Sequence, residues 1–529
     1  MLNLILTHPS IKNELPSCYA DRLGVIYSNS HAVKGKKVKG QFFTPTKVAK
    51  LMASLSQFKS RSMDICDPGI GLGVLSCALV EKLILHSNEV ENINLVGYET
   101  DEEIIPYTEQ ALSYLQSWVK ANGKVLIYTI IKTDFVTTNS TVLRIQNHGY
   151  FEQESTFFPK FYDIIISNPP YFKLSRDDEK AIAAKELVSG QPNIYALFLG
   201  ISSKLLKRYG ELIFITPRSF ASGNYFKSFR LEFFKNVVIT NIHLFNSRKD
   251  AFNRDSVLQE TLILRAVKQS KAEDIVVKIS SSNGVEDIAN SDSKSYLLKE
   301  LIDFNSTEKI LHIPSNKREE IVFSLVNSWH NTIRDFDIHV STGPVVSFRA
   351  IKFIQDQPSK DVQSVSLFWL QNICKMKIEW PKMIKGKGQF IEFCPESMSI
   401  LVPAKDYIIL RRFSSKDDKS RLIAAPFFSD DQEYKLIGLE NKLNYIYRKN
   451  GCMKKTEVIG LCALLNSDLY NIYFQSFNGN VNVSATEIRE MKLPPYELIL
   501  KIGERLIESN NYSMDNVNLL IKNILHINL

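Results

Sequence analysis

Seven short apolar runs recur between residues 41 and 267, and polar or amphipathic stretches separate them. The runs cover residues 63–67, 94–99, 125–132, 162–167, 211–216, 237–245 and 261–265. Strands that alternate with helices predict a mostly parallel, doubly wound α/β sheet. Residues 194–206 predict one amphipathic helix of this domain. Ligands of such sheets bind at the carboxyl ends of the strands, so the residues just after each run are the first candidates for a site.

The length and the local composition predict several domains. A chain of 529 residues is too long for one ordinary hydrophobic core. Residues 268–310 are enriched in Ser, Asn, Asp and Lys, as is typical of a boundary. We therefore predict an N-terminal arm over 1–40, an α/β domain over 41–267 and a mixed α+β domain with C-terminal helices over 268–529. The arm ends in the basic run 34–40, which fits a solvated loop or a contact to phosphates.

Composition excludes several classes of protein. No apolar run approaches the length of a membrane span, and residues 1–6 are too short for a signal sequence, so we expect a cytoplasmic protein without a membrane partner. The seven cysteines show no C-x-x-C spacing and the nine histidines no H-E-x-x-H pattern, so we expect neither disulfides nor a metal site. The net charge of +8 permits a localised basic face for nucleic acid without requiring one.

A Gly-rich turn follows the first apolar run, between a strand and a helix. Gly69 and Gly71 let the backbone approach a ligand, and the start of the helix offers unpaired N–H groups. The turn alone would suit a dinucleotide equally well. Asp67 argues against a dinucleotide, because a carboxylate at the strand tip repels a pyrophosphate and suits an ammonium group. The amino-acid end of S-adenosylmethionine carries such a group.

Acidic residues also follow the next two strands. Glu99 ends the second run, where a carboxylate can accept hydrogen bonds from both hydroxyls of a ribose. Asp134 follows the third run, where it can accept from an adenine amine while Phe135 lies against the ring. A single acid at such a place is more often a solvated loop end, but three in succession indicate one ligand site. Upstream, Thr44 or Thr46 fits a helix cap, or a turn that closes over the methionine end of the cofactor.

The fourth run leads into Ser167-Asn168-Pro169-Pro170-Tyr171, which suits a flat ring with an exocyclic amine. A purine amine is a poor nucleophile because its lone pair is delocalised into the ring. The side-chain carbonyl of Asn168 and the backbone carbonyl of Pro169 would favour a pyramidal nitrogen and free that lone pair. The prolines fix the backbone, Tyr171 offers a stacking face, and Phe252 is our candidate for the opposite face. A base must leave the duplex to reach such a pocket.

In their order and in their residues, these segments resemble the motifs of the gamma-class N6-adenine DNA methyltransferases of type II restriction–modification systems. That family carries a Thr-Pro turn, an Asp-Pro-x-x-Gly strand tip, an Asn-Pro-Pro-Tyr motif and a C-terminal target-recognition domain, and the resemblance spans roughly residues 38–495. It implies a Rossmann-like methyltransferase domain followed by a target-recognition domain. The residues that would contact S-adenosylmethionine are Gln41, Thr44, Asp67, Gly69, Gly71, Glu99, Asp134, Phe135 and Asn168. The target adenine would contact Asn168, Pro169 and Tyr171, and stack against Tyr171 and Phe252.

One feature departs from the family. Ile70 and Leu72 stand where the family often has small or polar residues. The contacts to the carboxylate of the cofactor are then expected from backbone N–H groups and not from these two side chains.

The resemblance also implies partners. One copy of the protein would bind double-stranded DNA at the nucleoid of a bacterial cytoplasm. It would be the modification enzyme of a restriction–modification system, with a restriction endonuclease that acts separately, or an orphan methylase. Basic and aromatic residues share the C-terminal stretches 382–388, 411–416 and 445–449, and such residues position phosphates and read bases.

Two alternatives stay open. An Asn-Pro-Pro-Tyr loop can also present to a protein glutamine amide or to adenine in RNA, although the long basic C-terminal region favours DNA. A non-catalytic DNA-binding specificity subunit is a different class of protein. It is disfavoured because every expected catalytic position is filled.

Overall fold

The computed structural model of the chain describes residues 8–30, 43–145, 159–245, 261–269, 274–288, 291–358, 363–414, 420–431, 435–478 and 482–527. The chain divides into two compact units, unit 1 over Met1–Ser315 and unit 2 over Asn316–Leu529. All residues of the candidate site that the structure describes belong to unit 1.

Unit 1 is built on one sheet of nine strands. These are β1 (Ser62–Pro68), β2 (Asn92–Tyr98), β3 (Val125–Ile131), β4 (Tyr162–Ser167), β5 (Leu206–Pro217), β6 (Val238–Phe245), β7 (Thr261–Val267), β8 (Val276–Ser282) and β9 (Ser293–Leu297). Their order in the sheet is β3-β2-β1-β4-β5-β7-β6-β8-β9. The first five strands pair in parallel, and β7 lies antiparallel between β5 and β6. The predicted doubly wound α/β class is therefore confirmed.

The helices of unit 1 connect these strands and cover the sheet. They are α1 (Pro16–Ser30), α2 (Thr46–Ser54), α3 (Val74–His86), α4 (Ile105–Ala121), α5 (Phe135–Asn139), α6 (Glu179–Ala183), α7 (Ile194–Leu205), α8 (Lys227–Asn236) and α9 (Leu298–Leu301). Helices α1 to α4 share an apolar core with β1, β2, β4 and β5. The prediction that α7 is amphipathic is wrong, because every residue of this helix except Lys204 is buried.

The predicted N-terminal arm is in part a packed helix. Tyr19, Ala20 and Leu23 of α1 are buried in the core of unit 1. The backbone N–H of Ser17 donates to the buried Glu81 at 2.5 Å, and its hydroxyl donates to the same carboxylate at 2.9 Å. The basic run 34–40 lies outside the described residues. The arm prediction is therefore wrong for Pro16–Ser30, where apolar residues at helical spacing bury one face.

The division into units falls later than predicted. Strand β8 pairs in parallel with β6, and β9 pairs with β8, so the sheet of unit 1 continues past residue 267. Part of the Ser- and Lys-rich composition belongs to β8 and to the edge strand β9, and Val276 and Lys278 of β8 are exposed. Polarity at a sheet edge resembles the polarity of a linker, which is why composition alone set the boundary too early.

Unit 2 is mixed α+β, as predicted. Its strands are β10 (Ile338–Thr342), β11 (Ile354–Gln355), β12 (Ser364–Phe368), β13 (Ile373–Cys374), β14 (Lys377–Ile378), β15 (Phe390–Glu392), β16 (Leu401–Pro403), β17 (Tyr407–Arg411), β18 (Ala424–Phe427), β19 (Leu436–Leu439) and β20 (Leu443–Arg448). They form sheets in the orders β10-β20-β17-β18, β11-β15-β12-β19-β16 and β13-β14.

Seven helices belong to the described part of unit 2. They are α10 (Lys317–Asn327), α11 (Ser347–Ala350), α12 (Lys455–Asn466), α13 (Asp468–Gln475), α14 (Ala485–Glu490), α15 (Tyr496–Ser509) and α16 (Met514–Ile524). Among the described helices of the whole chain, none combines the length and the apolar character needed to cross a membrane. Nor do the described residues bring three or more His, Cys, Asp or Glu side chains together as a metal site.

Candidate active site

The carboxyl ends of β1, β2, β3 and β4 lie side by side, and a cavity of about 450 Å³ opens there. Such a volume suits a ligand of cofactor size. The cavity is lined by Phe43, Gly69, Gly71, Tyr98, Glu99, Thr100, Asp101, Ile104, Thr133, Asp134, Phe135, Asn168, Pro170, Phe172, Lys180, Ile194 and Phe198. Six of the residues that the sequence predicted for the site are in this wall.

The Gly-rich turn shapes one side of the cavity. Gly69 and Gly71 have φ angles of 74° and 51°, in the left-handed region that favours glycine. A Cβ added at Gly69 would lie 3.7 Å from the Phe198 ring. Ile70 and Leu72 are buried in the core and are absent from the cavity wall. Their bulk therefore serves packing, which explains why apolar residues are accepted at these two positions.

Asp67 is a buried carboxylate with one satisfied oxygen. Its Oδ2 accepts a hydrogen bond from the Ser76 hydroxyl at 2.6 Å, whereas its buried Oδ1 has no hydrogen-bond partner. Burial, and to a lesser degree the nearby carboxylate of Glu99, raises the pKa of Asp67 from 3.8 to about 7. Asp67 does not itself line the cavity, but Gly69 two residues later does. A cationic group that reached Oδ1 would restore the charged form.

Glu99 fixes the turn through three backbone N–H groups. Its Oε2 accepts from Gly71 at 3.0 Å, and its Oε1 accepts from Thr100 and Asp101 at 2.8 Å each. Burial nevertheless raises the pKa of Glu99. A carboxylate offers about four acceptor positions, so this arrangement leaves room for about one ligand hydroxyl rather than the two that were predicted.

Asp134 and Phe135 lie at the start of α5. Asp134 caps this helix, because its Oδ1 accepts from the backbone N–H of Thr137 at 3.0 Å. Its Oδ2 is 3.7 Å from the ammonium group of Lys180. The Phe135 ring packs edge-on against Tyr98 and at 5.1 Å from Phe198. The cavity thus has an aromatic wall next to a carboxylate.

Sequence reasoning gave no role to Phe198 or Lys180. Phe198 and Ile194 both line the cavity and are one helical turn apart on α7. This i, i+4 spacing was visible in the sequence, but an apolar pair on a helix usually indicates core packing. Lys180 lies on the five-residue helix α6, and no sequence pattern connected it with Asp134.

The loop after β4 is held by hydrogen bonds among its own predicted residues. Asn168 Nδ2 donates to the Thr44 hydroxyl at 3.1 Å. The Tyr171 hydroxyl donates to Asn168 Oδ1 at 2.5 Å and also lies 3.0 Å from the carbonyl oxygen of Ile215. Burial raises the pKa of Tyr171 well above its ordinary value, so the hydroxyl stays protonated. The amide oxygen that was predicted to grip an amine is thus oriented by a tyrosine.

Three further hydrogen bonds fix this loop. The Ser167 hydroxyl donates to the carbonyl oxygen of Pro68, which ties β4 to β1. The N–H of Ile194 donates to Phe172 O at 3.1 Å, and that of Leu174 to Pro192 O at 2.9 Å. A short antiparallel ladder thereby joins the loop to the start of α7. Pro169 within it is buried.

The segment before α2 also reaches the site. The interpretation of Thr44 or Thr46 as the helix cap is wrong, because Pro45 is the N-cap and no side chain caps the helix. Thr46 instead donates to Asp21 at 2.8 Å, while Thr44 accepts the bond from Asn168. Of the other predicted site residues, Gln41 and Phe252 lie outside the described residues.

Known proteins show which family the chain belongs to. Residues 91–252 match the Eco57I restriction-modification methylase family. The chain is 30% identical over 478 residues to the type II methyltransferase M.BsuBI of Bacillus subtilis, covering 90% of this chain and 92% of that protein. It is 30% identical over 468 residues to the type II methyltransferase M.PstI of Providencia stuartii, covering 88% and 89%. A solved structure, the type IIG restriction endonuclease BpuSI, superposes with a TM-score of 0.45 at 15% identity, over 93% of this chain and 63% of that one.

Proposed function

Because the chain belongs to the type II methyltransferases of restriction–modification systems, we propose that it methylates N6 of an adenine in a specific duplex DNA sequence. S-adenosylmethionine is the proposed donor, and the gamma-class order of motifs is the proposed subclass. One observation carries the proposal. Asn168 is held at the wall of the cavity by Thr44 on its amide nitrogen and by Tyr171 on its amide oxygen.

The residues around the cavity fit S-adenosylmethionine. The unpartnered Oδ1 of Asp67 is a buried acceptor that suits an ammonium group. Glu99 can accept from a ribose hydroxyl, and Asp134 from an adenine amine. Phe135 and Phe198 supply apolar walls for that ring, while the backbone of Gly69 and Gly71 permits a close approach. When bound, the cofactor supplies an electrophilic methyl group on a sulfonium sulfur.

The loop after β4 acts on the target amine. An amide oxygen such as Asn168 Oδ1 can accept two hydrogen bonds, and the backbone carbonyl of Pro169 is a further acceptor. Two acceptors aimed at the two amine hydrogens favour a pyramidal nitrogen with a free lone pair. The amine becomes acidic once it carries the methyl group, and then loses one proton to water. No general base from the chain is required.

The target base must leave the duplex to reach Asn168, so base flipping is part of the proposal. Tyr171 is the proposed stacking partner on one face and Phe252 on the other. In the described structure the ring of Tyr171 is half-buried and packs edge-on against Tyr195 at 6.2 Å. The exposed part of this ring is the part that would stack on a base.

The biological setting follows from the same family. We propose that a single copy acts on DNA in the bacterial cytoplasm, and that unit 2 selects the sequence. It would serve as the modification enzyme beside a separate endonuclease, or as an orphan methylase.

Transfer of a labelled methyl group tests the proposal. The purified chain is incubated with labelled S-adenosylmethionine and, in parallel, with duplex DNA, structured RNA and a protein extract. We expect label in DNA and none in the other two. Label in RNA or protein but not in DNA would contradict the proposal in favour of another substrate for the same loop. Label in none of them, with DNA still bound, would indicate a non-catalytic specificity subunit.

A further inference from the structure

The most exposed large apolar side chains of the described residues lie in two short segments of unit 2. Phe348 and Ile351 are 73% and 72% exposed, and Met383 is fully exposed at 103%. Large apolar residues scattered singly over a surface are ordinary. Three such residues in the segments 347–353 and 381–388 indicate a surface that binds another molecule.

Both segments rest on the same apolar cluster. Ala350, Phe353 and Ile354 from the first segment and its continuation pack with Ile384 from the second. A Cβ added at Gly388 would lie 2.4 Å from the carbonyl oxygen of Gln355, so the backbones of the two regions touch. The two segments therefore form one surface, because they pack on the same apolar cluster.

The second segment is anchored at both of its ends. The indole N–H of Trp369 donates to Gly388 O at 2.7 Å, and that of Trp380 donates to Gln389 O at 3.3 Å. Gln389 Oε1 accepts from the backbone of Lys382 at 3.2 Å. Met383 directly precedes the Ile384–Lys387 bridge of this fixed turn, so its exposure does not arise from a frayed end.

Exposed cations alternate with these apolar residues. Arg349, Lys352 and Lys385 are exposed, and within the described residues none of them has a carboxylate within 4.0 Å. The Arg349 guanidinium lies 5.4 Å from the Phe348 ring centre. Lys382, by contrast, pairs with Glu379 at 2.7 Å. Lys352 lies 4.6 Å from the Phe353 ring centre, and its charge contributes to lowering the pKa of Glu396. The three cations without a close ion pair are thus the ones next to the exposed apolar residues.

We propose that Phe348, Arg349, Ile351, Lys352, Met383 and Lys385 form a basic–apolar surface that contacts duplex DNA. The three cations neutralise phosphates, and the three apolar side chains pack against base edges or between base steps. A polyanion accounts for three exposed basic residues without an ion pair within 4.0 Å among the described residues, and two of them are lysines, which are depleted at interfaces between proteins. The inference rests on the proposed function, because it names the surface of unit 2 that the DNA substrate contacts.

Two triple variants separate the two kinds of contact. Sites methylated by the wild type are first mapped by sequencing DNA from a host that carries the gene. Affinity for a duplex with such a site and for one without it is then measured over a range of salt concentration. Arg349→Ala/Lys352→Ala/Lys385→Ala should weaken binding to both duplexes roughly tenfold or more, and lower the slope of log affinity against log salt by about 3. The control Lys317→Ala/Lys501→Ala/Lys522→Ala removes the same charge from exposed helix positions and should leave the slope unchanged.

Phe348→Ala/Ile351→Ala/Met383→Ala should leave the salt slope unchanged and reduce the preference for the cognate duplex roughly tenfold. Ile321→Ala/Leu519→Ala is the control for loss of exposed apolar area. All these positions are exposed, so unaltered melting temperatures are expected and are checked first.

The outcomes separate this inference from the proposed function. If the wild type methylates DNA and both triple variants keep wild-type affinity, slope and preference, the surface is misassigned while the proposed function stands. If the wild type dimerises in sedimentation and the apolar triple variant is monomeric with unaltered DNA binding, the surface binds a second copy and the inference is overturned. If the wild type neither binds nor methylates DNA, both fail.

Discussion

The two halves of the site differ in how their polar groups are satisfied. In the half that we propose binds the cofactor, Asp67 keeps one buried oxygen without a partner, and its pKa is raised to about 7. In the half that we propose binds the target base, Asn168 is hydrogen-bonded to Thr44 at 3.1 Å and to Tyr171 at 2.5 Å. The unpartnered oxygen of Asp67 lowers the stability of the fold as long as no cation is bound to it. The hydrogen bonds of Asn168, by contrast, are formed before any base enters.

One site can thus combine a buried polar group without a partner and a polar network whose hydrogen bonds are already formed. A buried acid of raised pKa lowers the stability of the fold but can raise the affinity for a cationic ligand, and this combination is common at functional sites. A prearranged hydrogen-bond network costs little at the moment of reaction, because its dipoles are already oriented. Substitutions in the two halves should therefore differ in which quantity they change and in the sign of their effect on stability.

The largest effect is expected from Asn168→Ala. Loss of an acceptor for the target amine should lower single-turnover methyl transfer on the order of 10²- to 10³-fold, as for other prearranged polar groups. Cofactor affinity, measured by calorimetry, should change little, and stability should fall slightly. The exposed Asn122→Ala is the matched control. A loss of cofactor affinity as large as the loss of rate would remove the distinction between the halves.

Asp67→Asn should show the opposite pattern. Removing the carboxylate should weaken cofactor binding roughly 10- to 100-fold, the range for a hydrogen bond to a charged group. In the absence of cofactor it should raise the melting temperature at pH 8, because a pKa raised from 3.8 to about 7 costs on the order of 4 kcal/mol there. The unpaired amide nitrogen offsets part of that gain. A lower melting temperature at pH 8 would contradict the description of Asp67 as a destabilising group.

The pH dependence of cofactor affinity should follow Asp67. Only the ionised carboxylate attracts an ammonium group, so affinity should fall about tenfold between pH 7.5 and pH 6. The contribution of Asp67 to folding stability changes with pH in the opposite direction to the cofactor affinity. Because the folded-state pKa is raised, stability from this group is fully present below the unfolded pKa and is lost as the pH rises through about 7. Binding titrations of the wild type and of Asp67→Asn at both pH values check this, since the cofactor affinity of the variant should not change between them.

The smallest effect is expected from Tyr171→Phe. The substitution keeps the ring and removes the hydroxyl that orients Asn168, so methyl transfer should slow roughly 5- to 10-fold, in line with one hydrogen bond of about 1 kcal/mol. Tyr171→Ala removes the stacking face as well and should be slower still. Equal rates for Tyr171→Phe and the wild type would show that Thr44 alone orients the amide.

The sequence predicted most of the fold because strands in a doubly wound sheet are buried and bounded by polar residues. Strand β4 spans the six residues predicted, 162–167. The unit boundary was misplaced because β8 and the edge strand β9 are rich in serine and lysine. The packing of α1 was missed because buried Tyr19 and Leu23, although one helical turn apart, lie among polar residues such as Asp21 and Arg22.

Within the site, the acids at the strand ends and the Asn-Pro-Pro-Tyr loop could be predicted because they follow from position and chemistry. The bond from Tyr171 to Asn168 and the wall residue Phe198 could not, because they depend on side-chain direction and on contacts distant in sequence. The same holds for the three N–H groups that occupy Glu99.

The identity of the methylated nucleoside tests the central claim most directly. Duplex DNA treated with the purified chain and labelled S-adenosylmethionine is digested to nucleosides, which are separated and weighed by mass spectrometry. The account predicts that the label is in N6-methyldeoxyadenosine, and that Asn168→Ala yields little of it. Label in a methylated cytosine, with none in deoxyadenosine, would contradict it.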